Sequence, residues 1–381
     1  MRRKPWAATT ILLALGLSSF AVCWGADAGS AGVPASGPDT AAALHARSTE
    51  AAAFRKTLAE KVAAAEAADQ RAIRGADGWL FFRGALRSAA VGAFWGPEAA
   101  AVSRASRKTY ADPLPAILEF NDQLKRVGVD LLVVPVPVKA FVYPEKLSAA
   151  VKPGPDGAPP RLDVRHQAFY RLLEDRGVHV LDLWPTLAAH RFDKEGTAYC
   201  KQDTHWSSRS CHRAAAMIAD RYRDAPWFKD LSRTTFETEA KEVRITGDLR
   251  AYLKDPALAD ETLPMVFTGI RRDGVLVAPR PDRTSPVVLI GDSHTLVFSV
   301  GGDLHTRGAG LPDHLAAAFG VRIDLVGVRG SGVTVPRIDL ARRRDNLKGK
   351  KLVVWCFSAR QFTESTNGWM TGIPVVRPAD P

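Results

Sequence analysis

Pro286-Val287-Val288-Leu289-Ile290-Gly291-Asp292-Ser293-His294 is the stretch whose reading decides the fold. The apolar run 286–290 has the length and composition of a buried parallel strand. A strand that runs into Gly-Asp-Ser and opens into a helix brings a serine hydroxyl to the rim of a sheet. Upstream, Asp203-Thr204-His205-Trp206 offers a carboxylate and an imidazole two residues apart. In an extended stretch, positions i and i+2 fall on one side. The two segments together supply hydroxyl, base and base-orienting acid, the set that activates a serine nucleophile.

Around this core, strands and helices alternate. Residues 40–73 are Ala-rich, regularly charged and free of Gly and Pro, and predict a helix that packs on the main domain or projects from it. Residues 79–82 predict a short strand, and 112–127 a helix. Residues 129–138 predict a strand whose two prolines suit a sheet end or an irregular exit. A helix over 162–176 and a strand over 178–183 follow, then a helix over 208–223 capped by Ser207. Residues 224–285 show no clear period. Strands return at 286–290, 322–328 and 351–357, with helices near 311–319 and 337–347. The pattern implies right-handed βαβ units: an α/β fold with a mainly parallel sheet, helices on both faces and an N-terminal helical extension.

Ligands bind such sheets at the carboxyl ends of the strands. Ser293, Lys139 and Gly330-Ser331-Gly332 each follow a strand end and are expected to converge on one rim. Acyl transfer needs an oxyanion hole. The backbone N–H of Ser293 is one donor, and Gly330 or Gly332 could bring another, since glycine lets backbone approach a ligand closely. Asp292 is read as shaping the turn. Lys139 is read either as a contact to an acceptor sugar or anionic polymer, or as a structural ion pair with a residue such as Glu145. His294, adjacent to the serine, is expected to point elsewhere. The histidines at 45, 166, 179, 190, 212, 305 and 314 stand in no comparable motif and default to surface or packing roles.

The 381 residues are 46% hydrophobic, enough for a sizeable core, and carry a formal net charge of +11. That charge suits anionic polymers or lipid headgroups, or is simply a basic surface. No nucleic-acid motif accompanies it. Arg2, Arg3 and Lys4 precede an apolar stretch from Trp6 to Val22 and the small-x-small site Ala26-Asp27-Ala28, the layout of an export signal over 1–28. An uncleaved anchor is the alternative. Residues 29–74 then form a flexible lead and the helix. Cys200 and Cys211 bracket the Asp-Thr-His-Trp motif, and spacing alone leaves open whether they are bridged or reduced. Without Cys-x-x-Cys or His-Glu-x-x-His, no metal site is expected, and the reading calls for no cofactor.

Several motifs in sequence order carry a family resemblance: Asp77-Gly78-Trp79-Leu80-Phe81, Val136-Pro137-Val138-Lys139 with Tyr143-Pro144-Glu145, Asp203-Thr204-His205-Trp206-Ser207, Gly247-Asp248-Leu249, Gly291-Asp292-Ser293-His294-Thr295 and Val353-Val354-Trp355. Over residues 75–365 the chain resembles the SGNH-hydrolase-like polysaccharide O-acetyltransferases of the AlgJ/AlgX type, known from alginate acetylation. Ordinary GDSL esterases place the serine first and the Asp/His last; the reverse order here fits this family. The resemblance implies a three-layer SGNH-like domain over 75–375, with Ser293 as nucleophile, His205 as base and Asp203 as orienting acid. It also draws Tyr143 and Lys139 toward the substrate. It implies a periplasmic location, a polysaccharide acceptor and acetyl groups supplied by a membrane-bound O-acyltransferase. His294 departs from the pattern, in which an aromatic or other residue often follows the serine. With no sign of a separate carbohydrate-binding module, AlgJ-like architecture is expected.

The expected function is therefore exported O-acetyl transfer to an exopolysaccharide; alginate, cellulose and other polymers all remain open. A carbohydrate acetyl-esterase with the same triad and a non-catalytic polysaccharide-binding module are the alternatives. N-terminal sequencing of the exported protein is expected to begin near Gly29; a chain that retains residues 1–28 would instead be membrane-tethered.

Overall fold

The computed structural model describes residues 41–253 and 255–377. The expected export signal over 1–28, with its expected cleavage site, and the expected lead over residues 29–40 lie outside the described residues. Among those residues no helix is long and apolar enough to cross a membrane.

Helix α1 (Ala41–Ala67) is built from strong helix formers. Ala51, Phe54, Leu58, Val62 and Ala65 are all buried, a stripe at three- and four-residue spacing that faces the domain. The Phe54 ring meets Phe141 at 6.5 Å, so the helix packs rather than projects. After it, β1 (Ala72–Arg74) and β2 (Leu80–Phe82) pair antiparallel, and α2 (Arg83–Ala90) follows directly.

The next elements alternate as the sequence implies: α3 (Pro113–Lys125), β3 (Asp130–Val136), α4 (Val164–Asp175), β4 (His179–Val180) and α5 (Ser208–Tyr222). The unreadable stretch 224–285 is an antiparallel three-stranded sheet of β5 (Glu237–Ile245), β6 (Glu261–Arg272) and β7 (Val275–Val277). Then come β8 (Val287–Gly291), α6 (Ser293–Leu296), α7 (Leu311–Phe319), β9 (Asp324–Gly327), α8 (Thr334–Arg342) and β10 (Leu352–Ser358).

The central sheet has the order β9-β8-β10-β3-β4, and every pairing is parallel. Strands β8 and β10 are buried along their whole length, and β3 from its second residue. This is the sequence logic of a parallel sheet covered on both faces. The prolines do not push β3 to the edge: it lies between β10 and β4. Strand β4 pairs only with Leu132 and Val133, so beside Pro135 that flank of β3 carries no ladder for a missing N–H to interrupt.

The chain runs outward from β3 to β4 on one side and from β8 to β9 on the other, with β10 inserted last between the two halves. The C-terminal ends of β8, β10 and β3 thus lie side by side, with Gly291 opposite Cys356 and Ser358 opposite Val136. The divergence of the loops there opens the crevice in which α/β sheets bind ligands.

Candidate active site

Gly291 ends β8, where only glycine fits: a Cβ would stand 1.7 Å from the Cys356 carbonyl oxygen. The chain can therefore press against β10 and turn immediately into α6. Asp292 caps the turn. Its Oδ1 accepts from His294 N at 2.9 Å, and its Oδ2 accepts from Ser358 N at 3.2 Å and Gln361 Nε2 at 3.1 Å. The aspartate shapes the turn by tying it to the exit of β10, and the first residue of α6 is Ser293.

Ser293 Oγ donates to His205 Nε2 at 2.8 Å, and His205 Nδ1 donates to Asp203 Oδ1 at 2.7 Å. The structure thus brings Ser293, His205 and Asp203 into one hydrogen-bonded line, with the serine 8% and the histidine 6% exposed. Trp206 fastens the two segments together, its indole donating to the His294 carbonyl at 2.9 Å. His294 lies buried with its ring 4.8 Å from that of His205. Burial, then the charges of His205 and Arg360, hold its pKa well below the ordinary histidine value.

Asp203 is fully buried and accepts four N–H groups. His205 N and Nδ1 share Oδ1, while Asp248 N at 2.9 Å and His305 Nε2 at 3.0 Å share Oδ2. Burial alone would raise its pKa; the His205 and His305 partners outweigh burial and hold the carboxyl well below its usual range. Burial would likewise lower the pKa of His205, and the Asp203 charge overcomes it and raises it. Asp248 braces the same loop by accepting from Thr204 N and Oγ1. Gly247 makes this approach possible, since a Cβ there would stand 2.1 Å from the Gln202 carbonyl oxygen. The sequence assigns Asp248 no role and leaves His305 to a surface or packing role, whereas the structure sets both on the Asp203 carboxylate. Gly247-Asp248 stood among the family motifs, while the only signal near His305 is the preceding Gly301-Gly302.

Other expectations need correction. Lys139 is turned inward and does not pair with Glu145. It is buried, and its Nζ donates to the carbonyls of Leu80, Lys201 and Asp203 at 2.8, 3.0 and 3.0 Å. Burial pushes its pKa down to about 8, against the opposing charge of Glu261. Glu145 pairs instead with Arg191. Tyr143 is buried too. Its hydroxyl donates to the Arg191 carbonyl at 2.7 Å and accepts from Ala198 N at 3.0 Å, which keeps it within the fold. Cys200 and Cys211 are buried free thiols and form no bridge; the loop between them is held by the Tyr199–Trp206 backbone bridge and the Trp206 indole.

Gly330 and Gly332 line a groove of about 690 Å³ together with Arg71, Arg104, Arg360 and Gln361. Gln361 also holds Asp292, and Arg360 lies close enough to act electrostatically on His205, so this groove adjoins the Ser293–His205–Asp203 line. One group among the described residues has metal-compatible spacing: Asp203, His205 and Asp248, with ligand atoms within 4.8 Å of one another. The oxygens of both carboxylates already accept N–H and O–H donors, which is the environment of a hydrogen-bonded relay.

Lys139→Met, which keeps the length of the side chain, is expected to cost about 2–4 kcal/mol, because the buried carbonyls of Leu80 and Asp203 lose the ammonium and that of Lys201 is left with Leu80 N alone. Thermal or denaturant unfolding reads this directly. An unchanged transition would mean that those carbonyls find other partners.

The family described as SGNH hydrolase-like domain, acetyltransferase AlgX, matches residues 72–359. Over 151 residues the chain is 29% identical to alginate biosynthesis protein AlgX of Pseudomonas aeruginosa, covering 39% of this chain and 30% of AlgX. Over 191 residues it is 27% identical to the probable alginate O-acetylase AlgJ of the same organism, covering 50% of this chain and 43% of AlgJ. The chain thus spans less than half the length of these relatives. The solved O-acetyltransferase domain of Pseudomonas putida AlgJ superposes with a TM-score of 0.56 at 20% identity, covering 78% of this chain and 94% of that one. Pseudomonas aeruginosa AlgX superposes with a TM-score of 0.54 at 19% identity, covering 80% and 66%. The fold is SGNH-like, and with its family match spanning residues 72–359 the chain belongs to the SGNH-hydrolase-like acetyltransferase family of AlgX.

Proposed function

We propose that this chain is an exported O-acetyltransferase that moves acetyl groups onto an exopolysaccharide through an acetyl-enzyme on Ser293. The observation that carries the reading is the line Ser293–His205–Asp203, with contacts of 2.8 and 2.7 Å, in a chain of an acetyltransferase family. In the first half-reaction Ser293 Oγ attacks the acetyl carbonyl while His205 Nε2 takes its proton. The tetrahedral intermediate collapses and expels the donor's oxygen, which leaves with the proton from His205. In the second half, a sugar hydroxyl gives its proton to His205 and attacks the acetyl-serine. The proton then returns to Ser293 Oγ as the acetylated sugar departs. Asp203 holds the imidazole tautomer and stabilises the imidazolium in both halves. The Ser293 N–H is the first oxyanion donor.

The acceptor chain lies in the Arg-lined groove beside Arg360 and Gln361. Its cationic wall suits a polymer with anionic groups. The acetyl donor is a membrane-bound O-acyltransferase, and the reaction takes place in the periplasm.

Incubation with an activated acetyl ester, with and without oligosaccharides, followed by mass spectrometry of protein and sugar, tests the reading. One acetyl on Ser293 and its passage to sugar are expected. Ester turnover that leaves every oligosaccharide unmodified would make the protein an esterase. Ser293→Ala is expected to abolish acetyl-enzyme and turnover with no loss of fold, leaving only binding and oxyanion contributions; near wild-type turnover in that variant would remove Ser293 from its role.

The rate should also depend on pH in a definite direction. A general base works in its neutral form, so the rate falls as pH drops through the pKa of His205. Because the Asp203 charge raises that pKa, the acid limb of the pH–rate profile is expected above the ordinary histidine value of about 6.5. Asp203→Asn should move the limb down and cut turnover about 10⁴-fold. A limb at or below the ordinary value in the wild type would count against His205 as the base.

A further inference from the structure

A second imidazole reaches the triad acid. His305 Nε2 lies 3.0 Å from Asp203 Oδ2, the oxygen turned away from His205. Asp203 is an ionised acceptor, so His305 is the donor and carries its proton on Nε2. The side chain comes from the same segment as the nucleophile, on a loop that leaves α6 and folds back on itself. Phe298 N donates to the Leu304 carbonyl at 2.9 Å, Gly301 N to Thr306 at 3.0 Å, and Ala309 N to Phe298 at 2.9 Å. The rim of β6 holds the loop from outside, with Thr268 N donating to the Gly308 carbonyl at 2.7 Å.

The loop is strained where it presents the imidazole. His305 has φ 74° and Phe298 φ 62°, left-handed values that bulky L-residues rarely adopt. Each such residue costs on the order of 1–3 kcal/mol and persists only where its surroundings over-determine it. Here the two rings stack at 5.5 Å between centroids and 26° between planes, with Phe298 fully buried. A histidine that merely filled space would not require two left-handed residues to aim its Nε2 at a buried carboxylate.

We propose that His305 is a positioning residue of the acetyl-transfer site. It clamps Asp203 Oδ2 so that Oδ1 stays on His205 Nδ1 throughout both half-reactions. The proposal rests on the functional reading above for its kinetic consequence, and on geometry alone for its effect on His205. The backbone N–H of Asp248 shares Oδ2, so removing His305 loosens the carboxylate without leaving that oxygen bare. The other charged or titratable groups around Asp203 and His205 are Lys139, Cys200, Asp248, Glu261, His294 and Arg360; a change at residue 305 substitutes none of them.

The test compares His305→Phe, which keeps the ring against Phe298 but removes the donor, with His305→Gln, whose amide N–H can still donate. His305→Phe is expected to lower kcat for acetyl transfer about tenfold to a hundredfold, the weight of one hydrogen bond to a charged group. KM should stay within about twofold, because His305 does not face the acceptor groove. With one donor gone from Oδ2, more of the carboxylate charge bears on His205, so the acid limb should move to higher pH. His305→Gln should recover part of the rate and bring the limb back.

An NMR titration of His205 in the full-length Ser293→Ala protein, with and without His305→Phe, reads the same shift without any catalysis. The structural claim therefore stands or falls apart from the proposed activity. Wild-type kcat with an unmoved limb in His305→Phe would overturn the proposal. So would equal losses in the Phe and Gln variants accompanied by a lowered melting temperature, since that pattern belongs to a residue that serves only the fold.

Discussion

The buried carboxylate of Asp203 is the constraint around which the site is built. An isolated carboxylate withdrawn from water is prohibitively costly, and this one has almost no exposed surface. It is kept ionised by four N–H donors that come from three separate parts of the chain: residue 205, residue 248 and residue 305. Each donor needs its own scaffold. The turn at Gly247 brings residue 248 in, the strained loop beyond α6 brings residue 305, and the ammonium of Lys139 gathers the carbonyls of Leu80, Lys201 and Asp203 behind the motif. The strand-end serine is then the simplest part, since β8 presents it wherever the sheet ends.

The legible and illegible parts of the fold divide along physical lines. Strands β3, β8 and β10 are covered on both faces, so their apolar runs stand out, and α7 was bounded correctly because its apolar periodicity is strong. Strand β5 reads Glu-Thr-Glu-Ala-Lys-Glu-Val-Arg-Ile and is mostly exposed. With solvent on it, no alternation of apolar residues was needed, and none was there to find. The rule that strand ends carry functional residues anticipated that Ser293 stands at the crevice beside His205, and it did not anticipate that Lys139 turns inward. A lysine just beyond a strand end is as able to turn inward, and here the carbonyls of Leu80, Lys201 and Asp203 drew it in. The partnership of His305 with Asp203 spans 102 residues. It depends on backbone angles that a single sequence does not display.

The charge of the chain acquires a location in the structure, though not as a bare positive surface. In the groove beside Ser293 and His205, Arg87 pairs with Glu364 and Arg104 with Glu66, while Arg71 lies 4.7 Å from the Tyr252 ring centroid. Paired arginines of this kind hold their forks in fixed directions, so the groove has shape as well as sign. Arg360 belongs both to this wall and to the electrostatic surroundings of His205 and His294, which links events in the groove to the protonation chemistry beside it.

Helix α1 sets a length scale for the molecule. Its 27 residues, at about 1.5 Å of rise each, make a rod of about 40 Å. Glu66, in its last turn, forms part of the groove wall, while residue 41 stands at the other end. The stripe from Ala51 to Ala65 fastens the rod along the domain, so it cannot swing. Residue 41 is therefore kept about one helix length from the groove, so the point at which the described chain begins and the wall beside the serine move as one body.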